Sequence, residues 1–198
     1  IEVALVGDLD EDAAIAAVAA TFGALPEREP EFLPRDEARA RSFTSNRSPR
    51  ELTHSGEADQ ALIRMYWPTT DDSDLLETLK LGMLARIMRL ELTDRLREEL
   101  GQAYSPSASS SASSIYRGYG TLAVNASVDV GEIDASRAAI AKMLTDLSGD
   151  VISEDLVERA RKPLLERYDN ALKNLGGWMS LTAEAQSAPD RLVRFLAA

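Results

Sequence analysis

Hydrophobic residues recur along this chain in two periods. Alternation with polar residues is typical of half-buried strands, and a spacing of three to four residues is typical of amphipathic helices. Alternation predicts strands over Ile1–Gly7, Glu51–Gly56, Asp59–Trp67 and Leu122–Val128. The helical spacing predicts helices after Asp10, over Asp71–Leu90, over Leu92–Gly101, over Glu132–Leu147, from Ser153 to Gly176–Gly177, and over Ser180–Ala188 and Asp190–Ala197.

The first helix follows the opening strand directly. Asp8 or Asp10 is the predicted N-terminal cap, because a carboxylate there accepts hydrogen bonds from the free N–H groups of the first turn. Ile15, Val18 and Phe22 fall on one side of this helix, so we expect them to form its buried stripe.

Residues 26–50 differ in composition from the rest of the chain. This stretch has four prolines among many charged residues, which indicates a linker that runs over the surface. We therefore divide the chain into an opening strand–helix unit at 1–25, a linker at 26–50 and a main α+β domain at 51–198.

Two segments of the main domain depart from a simple pattern. The helical spacing slips near Leu90–Leu92, so we expect a bend or a short break there. Ser105–Ser114 is almost entirely serine and alanine, a composition that is also typical of flexible linkers. Its position before the strand at Leu122–Val128 instead predicts a strand of small residues. Small side chains would let another group approach the sheet closely at this strand.

The order of these elements indicates an α+β fold. Strands, helices, paired strands and helices again are expected to give a mostly antiparallel sheet with helices packed on one face. The charged residues, 22 basic and 33 acidic, give a net charge of −11, which argues against binding to nucleic acid. The chain has no cysteine and no apolar run as long as a membrane span. It begins at Ile1 within a strand pattern, so we expect a fragment of a longer polypeptide.

The sequence offers little for metal or carboxylate chemistry. His54 is the single histidine, and although Glu57 gives the spacing His-x-x-Glu, Ala58 stands where a second ligand is needed. Zinc in an enzyme needs about three protein ligands, so we predict neither a metal nor a cofactor on this chain. Glu98 and Glu99 are adjacent, so on a helix they point about 100° apart and do not converge.

Arg97 and Tyr104 are the strongest candidates for chemistry. Arg97 is predicted on the last turn before the helix ends at Gly101, and Tyr104 lies where the next strand begins. A guanidinium binds carboxylates or peptide carbonyls, and a phenol hydroxyl can donate to a developing oxyanion. A simpler alternative stays open, in which Arg97 pairs with Asp94 and Tyr104 is an ordinary strand aromatic.

The run Arg97–Ser105, REELGQAYS, resembles the arginine–tyrosine signature of the pitrilysin/insulinase family of inverted zincins. The segment Gly7–Pro26, GDLDEDAAIAAVAATFGALP, is similar to a strand–helix unit of the same domains. Members of this family are zinc peptidases built as two halves, and the signature lies in the half without the metal. The resemblance therefore implies a domain from the C-terminal, non-zinc half.

The resemblance also implies a function in which a peptide substrate is held between the two halves. Arg97 would grip the peptide backbone, and the Tyr104 hydroxyl would help to hold the tetrahedral intermediate. Zinc is expected on an N-terminal half, which lies on the same polypeptide or on a partner subunit. We expect this chain to be inactive by itself.

Two alternatives remain. The fold could serve as a non-catalytic peptide-binding or scaffolding subunit, or the match at Arg97–Ser105 could be chance within an unrelated α+β domain. Arginine outnumbers lysine, which is consistent with a bacterial source, and the compartment can be periplasmic or cytoplasmic.

Overall fold

The computed structural model describes residues 2–26, 33–53, 55–56, 59–100, 106–149, 151–183, 185, 189–190 and 193, and of residues 97–100 it describes the backbone alone. Residue contacts group the chain into two compact units. The first unit is Ile1–Pro34 together with Lys162–Ala198, and the second unit is Arg35–Arg161. The division into 1–25, 26–50 and 51–198 that composition indicates stays a prediction.

The described residues contain helices and a small antiparallel sheet, which confirms the α+β fold class. In chain order the elements are α1 (Glu11–Thr21), β1 (Gln60–Thr69), α2 (Leu75–Leu100), β2 (Ser107–Ala112), β3 (Gly120–Asp129), a 3-10 turn (Val130–Glu132), α3 (Ile133–Gly149), α4 (Glu154–Ala171) and α5 (Leu175–Thr182). Helix α4 begins in the second unit and ends in the first.

The sheet has the strand order β1-β3-β2, and both pairs are antiparallel. Ile63 of β1 and Ala126 of β3 lie opposite each other, as do Val124 of β3 and Ala108 of β2. The strand of small residues predicted within Ser105–Ser114 is thus confirmed as β2. Its partner is the strand predicted over Leu122–Val128.

Helices α2 and α3 cover one face of this sheet, as expected from the alternation in β1. The buried cluster between them consists of Ile63, Ala85, Met88, Leu92, Leu96, Leu122, Val124, Ala126, Val128, Ala139, Ile140 and Met143. On the opposite face, Leu62 and Tyr66 of β1 are exposed. Burying one face of each strand is what the period of two residues requires.

Helix α2 runs without interruption through the position where we expected a bend or break. The slip in spacing near Leu90–Leu92 arises because the helix buries two faces. Met88 and Leu92 pack against the sheet, whereas Ile87 packs with Leu156 and Ala160 of α4. A helix that contacts two neighbours does not show a single apolar stripe.

Two predicted strands are absent from the described residues. Residues 2–7 form no strand, and neither do residues 51–53 and 55–56. A strand needs a partner for its backbone hydrogen bonds, and the described part of the first unit contains no other strand. Alternation alone was therefore a misleading signal at residues 2–7.

The helices of the first unit begin at side-chain caps. Asp10 accepts a hydrogen bond from the Ala13 N–H at 2.9 Å, which selects Asp10 over Asp8 as the cap of α1. Asn174 accepts one from the Gly177 N–H at 2.8 Å. The helix predicted from Ser153 ends before Gly176–Gly177, at Ala171, and both glycines lie in the first turn of the next helix, α5.

The predicted buried stripe of α1 is also wrong. Ile15 is 60% exposed and Phe22 is 52% exposed, and Val18 is half-buried. This side of α1 is therefore mostly exposed.

Candidate active-site corner

The C-terminal half of α2 is fixed by packing before the chain turns towards β2. Leu92 and Leu96 are 1% and 4% exposed and belong to the cluster beneath the sheet. Helix α2 also packs along β2, so the helix and the strand that it leads into share one core. Residues 101–105 therefore connect, in the sequence, two elements whose positions are set by burial.

An ion pair ties the same part of α2 to α3. The Arg95 guanidinium lies 2.7 Å from an Asp146 carboxylate oxygen and 3.2 Å from a Glu91 carboxylate oxygen. Asp146, and to a smaller extent Glu91, raise the pKa of Arg95 above its ordinary value. The group stays charged at any physiological pH, so this link does not open through titration.

A second ion pair links α2 to α4. The Arg159 guanidinium lies 3.3 Å from an Asp94 carboxylate oxygen. Asp94 is the residue with which Arg97 could pair in the simpler alternative. Its carboxylate has Arg159 as a partner on another helix, so it does not depend on Arg97 for neutralisation.

The two predicted site residues lie in the stretch of sequence between the fixed part of α2 and the start of β2. The backbone of Arg97 lies in the last turn of α2, and its side chain lies outside the described part of the structure. Tyr104 lies in residues 101–105, which are also outside it. The chain is described again at Pro106, which is buried, and β2 begins one residue later. The roles of Arg97 and Tyr104 thus stay predictions.

The opposite end of β2 is held by an aromatic cluster that sequence analysis missed. Phe43 stacks on Tyr119 with ring centroids 4.3 Å apart, and the Arg41 guanidinium lies 4.9 Å from the Tyr119 ring and 5.1 Å from the Tyr116 ring. Arg–aromatic contacts of this kind anchor the segment after residue 35 on the β2–β3 turn. The signal in the sequence that could have predicted this cluster is Arg41 close to Phe43, within the charged, proline-rich stretch 26–50.

Asp71 joins this turn to the start of α2. Its carboxylate accepts hydrogen bonds from the Ser73 hydroxyl at 2.5 Å and from the Gly118 N–H at 2.6 Å. Gly118 has a φ of +65°, a conformation that favours glycine. The Ser73 hydroxyl first, and then the Gly118 and Ser73 N–H groups, lower the pKa of Asp71. Both ends of β2 are therefore held in place.

The described residues contain no group of three or more His, Asp or Glu side chains that could hold a metal ion. His54 lies outside them. Within the same residues, no helix combines the length and the apolar composition that crossing a bilayer demands.

Comparison with known proteins identifies the family. Residues 1–164 match the sequence model of the family described as "Peptidase M16 inactive domain". The chain belongs to this family. It is the pitrilysin/insulinase-type family expected from Arg97–Ser105, and the chain corresponds to its inactive C-terminal domain. The alternative of an unrelated domain with a chance match is wrong.

Solved structures share the fold of this M16 domain. A protease from Helicobacter pylori superposes with a TM-score of 0.66 at 14% identity, over 98% of this chain and 48% of that one. A predicted insulinase family protease from Yersinia pestis gives 0.64 at 13% identity, over 97% and 44%. The periplasmic protease PqqL from Escherichia coli gives 0.57 at 16% identity, over 91% and 20%.

The chain thus spans less than half the length of these proteases. No curated protein sequence matches it. At these identities the structural likeness concerns the fold, and the family assignment rests on the sequence match over residues 1–164. The chain is therefore a non-catalytic domain of a metallopeptidase family.

Proposed function

We propose that this M16 domain binds peptide in the non-zinc half of a zinc metalloendopeptidase and contributes Arg97 and Tyr104 to the active site. The observation that carries the proposal is the family match, which spans the whole signature Arg97–Ser105. In this proposal, residues 51–198 form the main domain, 1–25 the opening unit and 26–50 the linker between them.

The packing around the corner supports the proposal. Catalytic groups have to be held within a fraction of an ångström, and groups on packed elements meet this requirement better than groups on free loops. Arg97 follows directly on a helical segment fixed by Leu96, by Arg95–Asp146 and by Asp94–Arg159. Tyr104 precedes the buried Pro106 by two residues.

The two side chains have complementary chemistry in peptide hydrolysis. The Arg97 guanidinium carries five donors and stays charged, so it can bind peptide carbonyls in the ground state and in the transition state alike. The Tyr104 hydroxyl donates one hydrogen bond, which gains strength as the attacked carbonyl oxygen becomes an oxyanion. Loss of one such donor typically costs about 2.7–4 kcal/mol, or a factor of about 10² to 10³ in kcat.

Zinc does not fit this chain. Its described residues offer no cluster of three donors, and a single histidine in the whole sequence makes a set of histidine ligands impossible. The proposed partner is therefore an N-terminal half that carries the metal, on the same polypeptide or on a separate subunit. The chain alone is expected to cleave no peptide.

The proposal is tested by mixing the chain with its zinc-bearing half and measuring cleavage of a quenched fluorescent peptide. We expect Tyr104→Phe to lower kcat by about 10²-fold or more with little change in KM, because the lost donor acts in the transition state. We expect Arg97→Ala to raise KM, since it removes a contact that the bound substrate already makes.

Matched substitutions control for general damage. Tyr66→Phe changes an exposed tyrosine on the outer face of β1, and Arg89→Ala changes an exposed arginine of the same helix α2. Both should leave kcat and KM unchanged. Full turnover by Tyr104→Phe and Arg97→Ala would overturn the proposed roles and favour a non-catalytic scaffolding subunit.

A further inference from the structure

The sheet has a second face, opposite to the one that α2 and α3 cover. Ile63 of β1 and Val124 of β3 are buried on the helix side. Leu62, Arg64 and Tyr66 of β1 alternate with the buried positions and are exposed. We call the face that carries these three residues the outer face. Because its side chains are exposed, a ligand can reach it.

A row of three polar side chains crosses the outer face. Arg64 of β1 lies opposite Asn125 of β3, and Asn125 lies opposite Ser107 of β2. Directly opposed residues of antiparallel strands project from the same face of a sheet, so the three side chains are neighbours. The Asn125 amide donates a hydrogen bond to the Ser107 hydroxyl oxygen at 3.4 Å. This contact orients the amide between the serine and the arginine.

The strand pairing brings Arg64 and Asn125 especially close. The Val130 N–H donates to the Asp59 carbonyl at 2.9 Å, in line with the β1–β3 register. Hydrogen-bonded and non-bonded pairs alternate along an antiparallel ladder, so Arg64 and Asn125 form a non-bonded pair. The Cα atoms of such a pair are about 4.5 Å apart, and the side chains lie closer together than in a bonded pair. A group bound by the Arg64 guanidinium is thus within reach of the Asn125 amide.

Arg64 has no counter-ion in the described part of the structure. Its guanidinium makes no ion pair and no hydrogen bond there, although the chain contains 33 acidic residues. Its neighbours Leu62, Tyr66 and Asn125 on the outer face are uncharged. Asp129 lies on β3 four residues from Asn125, or about 13 Å along the strand. The row therefore presents a positive charge whose five N–H donors are available to an anion.

An apolar residue and a small residue lie beside this charge. Leu62 is 49% exposed, and it is two residues from Arg64 on the same face, or about 6.6 Å along the strand. Ser127, opposite Leu62, is small and exposed. A carboxylate on a short hydrocarbon stem matches this arrangement, because its oxygens can bind Arg64 while its methylene groups contact Leu62. Among peptide side chains, aspartate and glutamate have this chemistry.

The row starts near the candidate site in sequence. Ser107 follows Tyr104 by three residues, and a chain spans at most about 3.6 Å per residue, so their Cα atoms are separated by about 11 Å or less. Arg64 is two strands away from Ser107, or about 10 Å across the sheet. An extended peptide advances about 3.3 Å per residue. A peptide that contacts both Tyr104 and Arg64 therefore places its acidic residue within about six residues of the cleaved bond.

We infer that Arg64, assisted by Asn125, binds an acidic side chain of the substrate and makes the enzyme select peptides with Asp or Glu near the cleaved bond. The inference rests on the proposed function, which supplies the peptide and the cleavage reaction. Arg64 is a specificity-determining residue in this account and takes no part in the chemical step.

Cleavage of matched peptides by the chain mixed with its zinc-bearing half tests the inference. The probes are quenched fluorescent peptides with amidated C-termini and no other acidic or basic side chain. Glu or Gln is placed in turn at each of six positions on either side of the cleaved bond. At one position or two neighbouring ones, we expect Glu to raise kcat/KM about threefold to tenfold over Gln, through a lower KM.

Four variants assign this preference to the row. Arg64→Gln should abolish it by raising KM for the Glu peptide alone, and Arg64→Lys should keep part of it. Asn125→Asp places a carboxylate beside Arg64 within the chain, so it should also abolish the preference although the guanidinium remains. Arg89→Gln, at an exposed position of α2, is the matched control and should keep the full preference.

A binding assay separates this inference from the proposed function. Fluorescence anisotropy of the 198-residue chain alone should give a lower Kd for the labelled Glu peptide than for its Gln counterpart, by about the same factor as KM. If neither assay shows a Glu preference but Tyr104→Phe still lowers kcat, the role of Arg64 fails and the proposed function stands. If the Kd values differ as expected but Tyr104→Phe is fully active, the proposed function fails and the anion site stands.

Three results would overturn the inference. The first is equal kcat/KM for the Glu and Gln peptides at every position. The second is a Glu preference that persists in Arg64→Gln. The third is a preference that follows an unblocked C-terminal carboxylate and not the glutamate side chain, measured with the same peptides without the terminal amide.

Discussion

In the unit Arg35–Arg161, the side chains of Val124, Ile140 and Met143 are 0% exposed. In the unit of Ile1–Pro34 and Lys162–Ala198, Ile15 of α1 and Phe22 just after it are more than half exposed, and Leu181 is the single buried hydrophobic residue among those described. Both units contain hydrophobic residues at helical spacing. A hydrophobic pattern therefore reports what a segment is able to bury, and whether it does so depends on the surfaces that the same unit supplies.

The difference has a consequence for stability. Burial of apolar area contributes roughly 25 cal/mol per Å², so the second unit gains far more from its hydrophobic residues than the first. The residues of the candidate site belong to the second unit. The residues that we associate with function thus lie on the part of the chain that has its own core.

The largest expected effect comes from one substitution made in both regions. Ile140→Ala leaves a cavity beneath the sheet and should lower the free energy of unfolding by about 2–5 kcal/mol. Ile15→Ala, on the exposed side of α1, should change it by about 0.5 kcal/mol or less. Urea unfolding measured by tryptophan fluorescence gives both values.

The two tryptophans allow the regions to be followed separately. Trp67 lies against the core of the second unit, and Trp178 donates to the Leu172 carbonyl at 2.9 Å in the first. Trp178→Phe leaves a reporter for the second unit, and Trp67→Phe leaves one for the first. Equal destabilisation by Ile140→Ala and Ile15→Ala would contradict the proposed difference in packing between the two units.

A smaller effect is expected at the start of α5. A Cβ at Gly177 would clash with the Ala171 carbonyl oxygen, so Gly177→Ala forces the α4–α5 turn apart. We expect a loss of about 1–3 kcal/mol, reported by Trp178. Gly176→Ala is the control, because its Cβ would lie 3.4 Å from Asn174 Oδ1 in ordinary contact. If Gly177→Ala is as stable as Gly176→Ala, the close approach of the two segments is wrong.

The smallest effect concerns the link between α2 and the β2–β3 turn. Asp71→Asn should lower the free energy of unfolding at pH 7 by about 1 kcal/mol, because a charged acceptor is lost. The folded-state pKa of Asp71 lies below 3.8, so the wild-type advantage is complete above that pH and disappears as pH falls through the folded-state value. Unfolding at pH 7 and pH 3 checks this, with the exposed Asp72→Asn as control. If Asp71→Asn lowers the free energy of unfolding at pH 3 by as much as at pH 7, the stabilisation does not depend on the ionised Asp71 carboxylate.

Sequence analysis predicted the second unit better than the first for a physical reason. The alternation in β1 and β3 and the small residues of β2 report local geometry, and all three strands form. The ion pair Arg95–Asp146 joins residues 51 positions apart, and no local pattern indicates such a contact. The position of Gly176–Gly177 in a helix was equally hidden, since it depends on how closely α5 approaches the end of α4.

The predicted site illustrates the same limit. Spacing indicated a helix followed by a strand, and α2 and β2 are these two elements. The pairing of Asp94 with Arg159 could not be foreseen, because α4 is more than fifty residues further along the chain. The roles of Arg97 and Tyr104 were predicted from family resemblance and not from the hydrophobic pattern.

The proposed function requires that the phenol of Tyr104 acts on a peptide that a metal-bearing partner cleaves. The most direct test is the ratio of kcat between wild-type and Tyr104→Phe chains, each saturated with the zinc-bearing half and with substrate. We predict a ratio of about 10² or more. A ratio of one, with both mixtures active, would contradict the central claim.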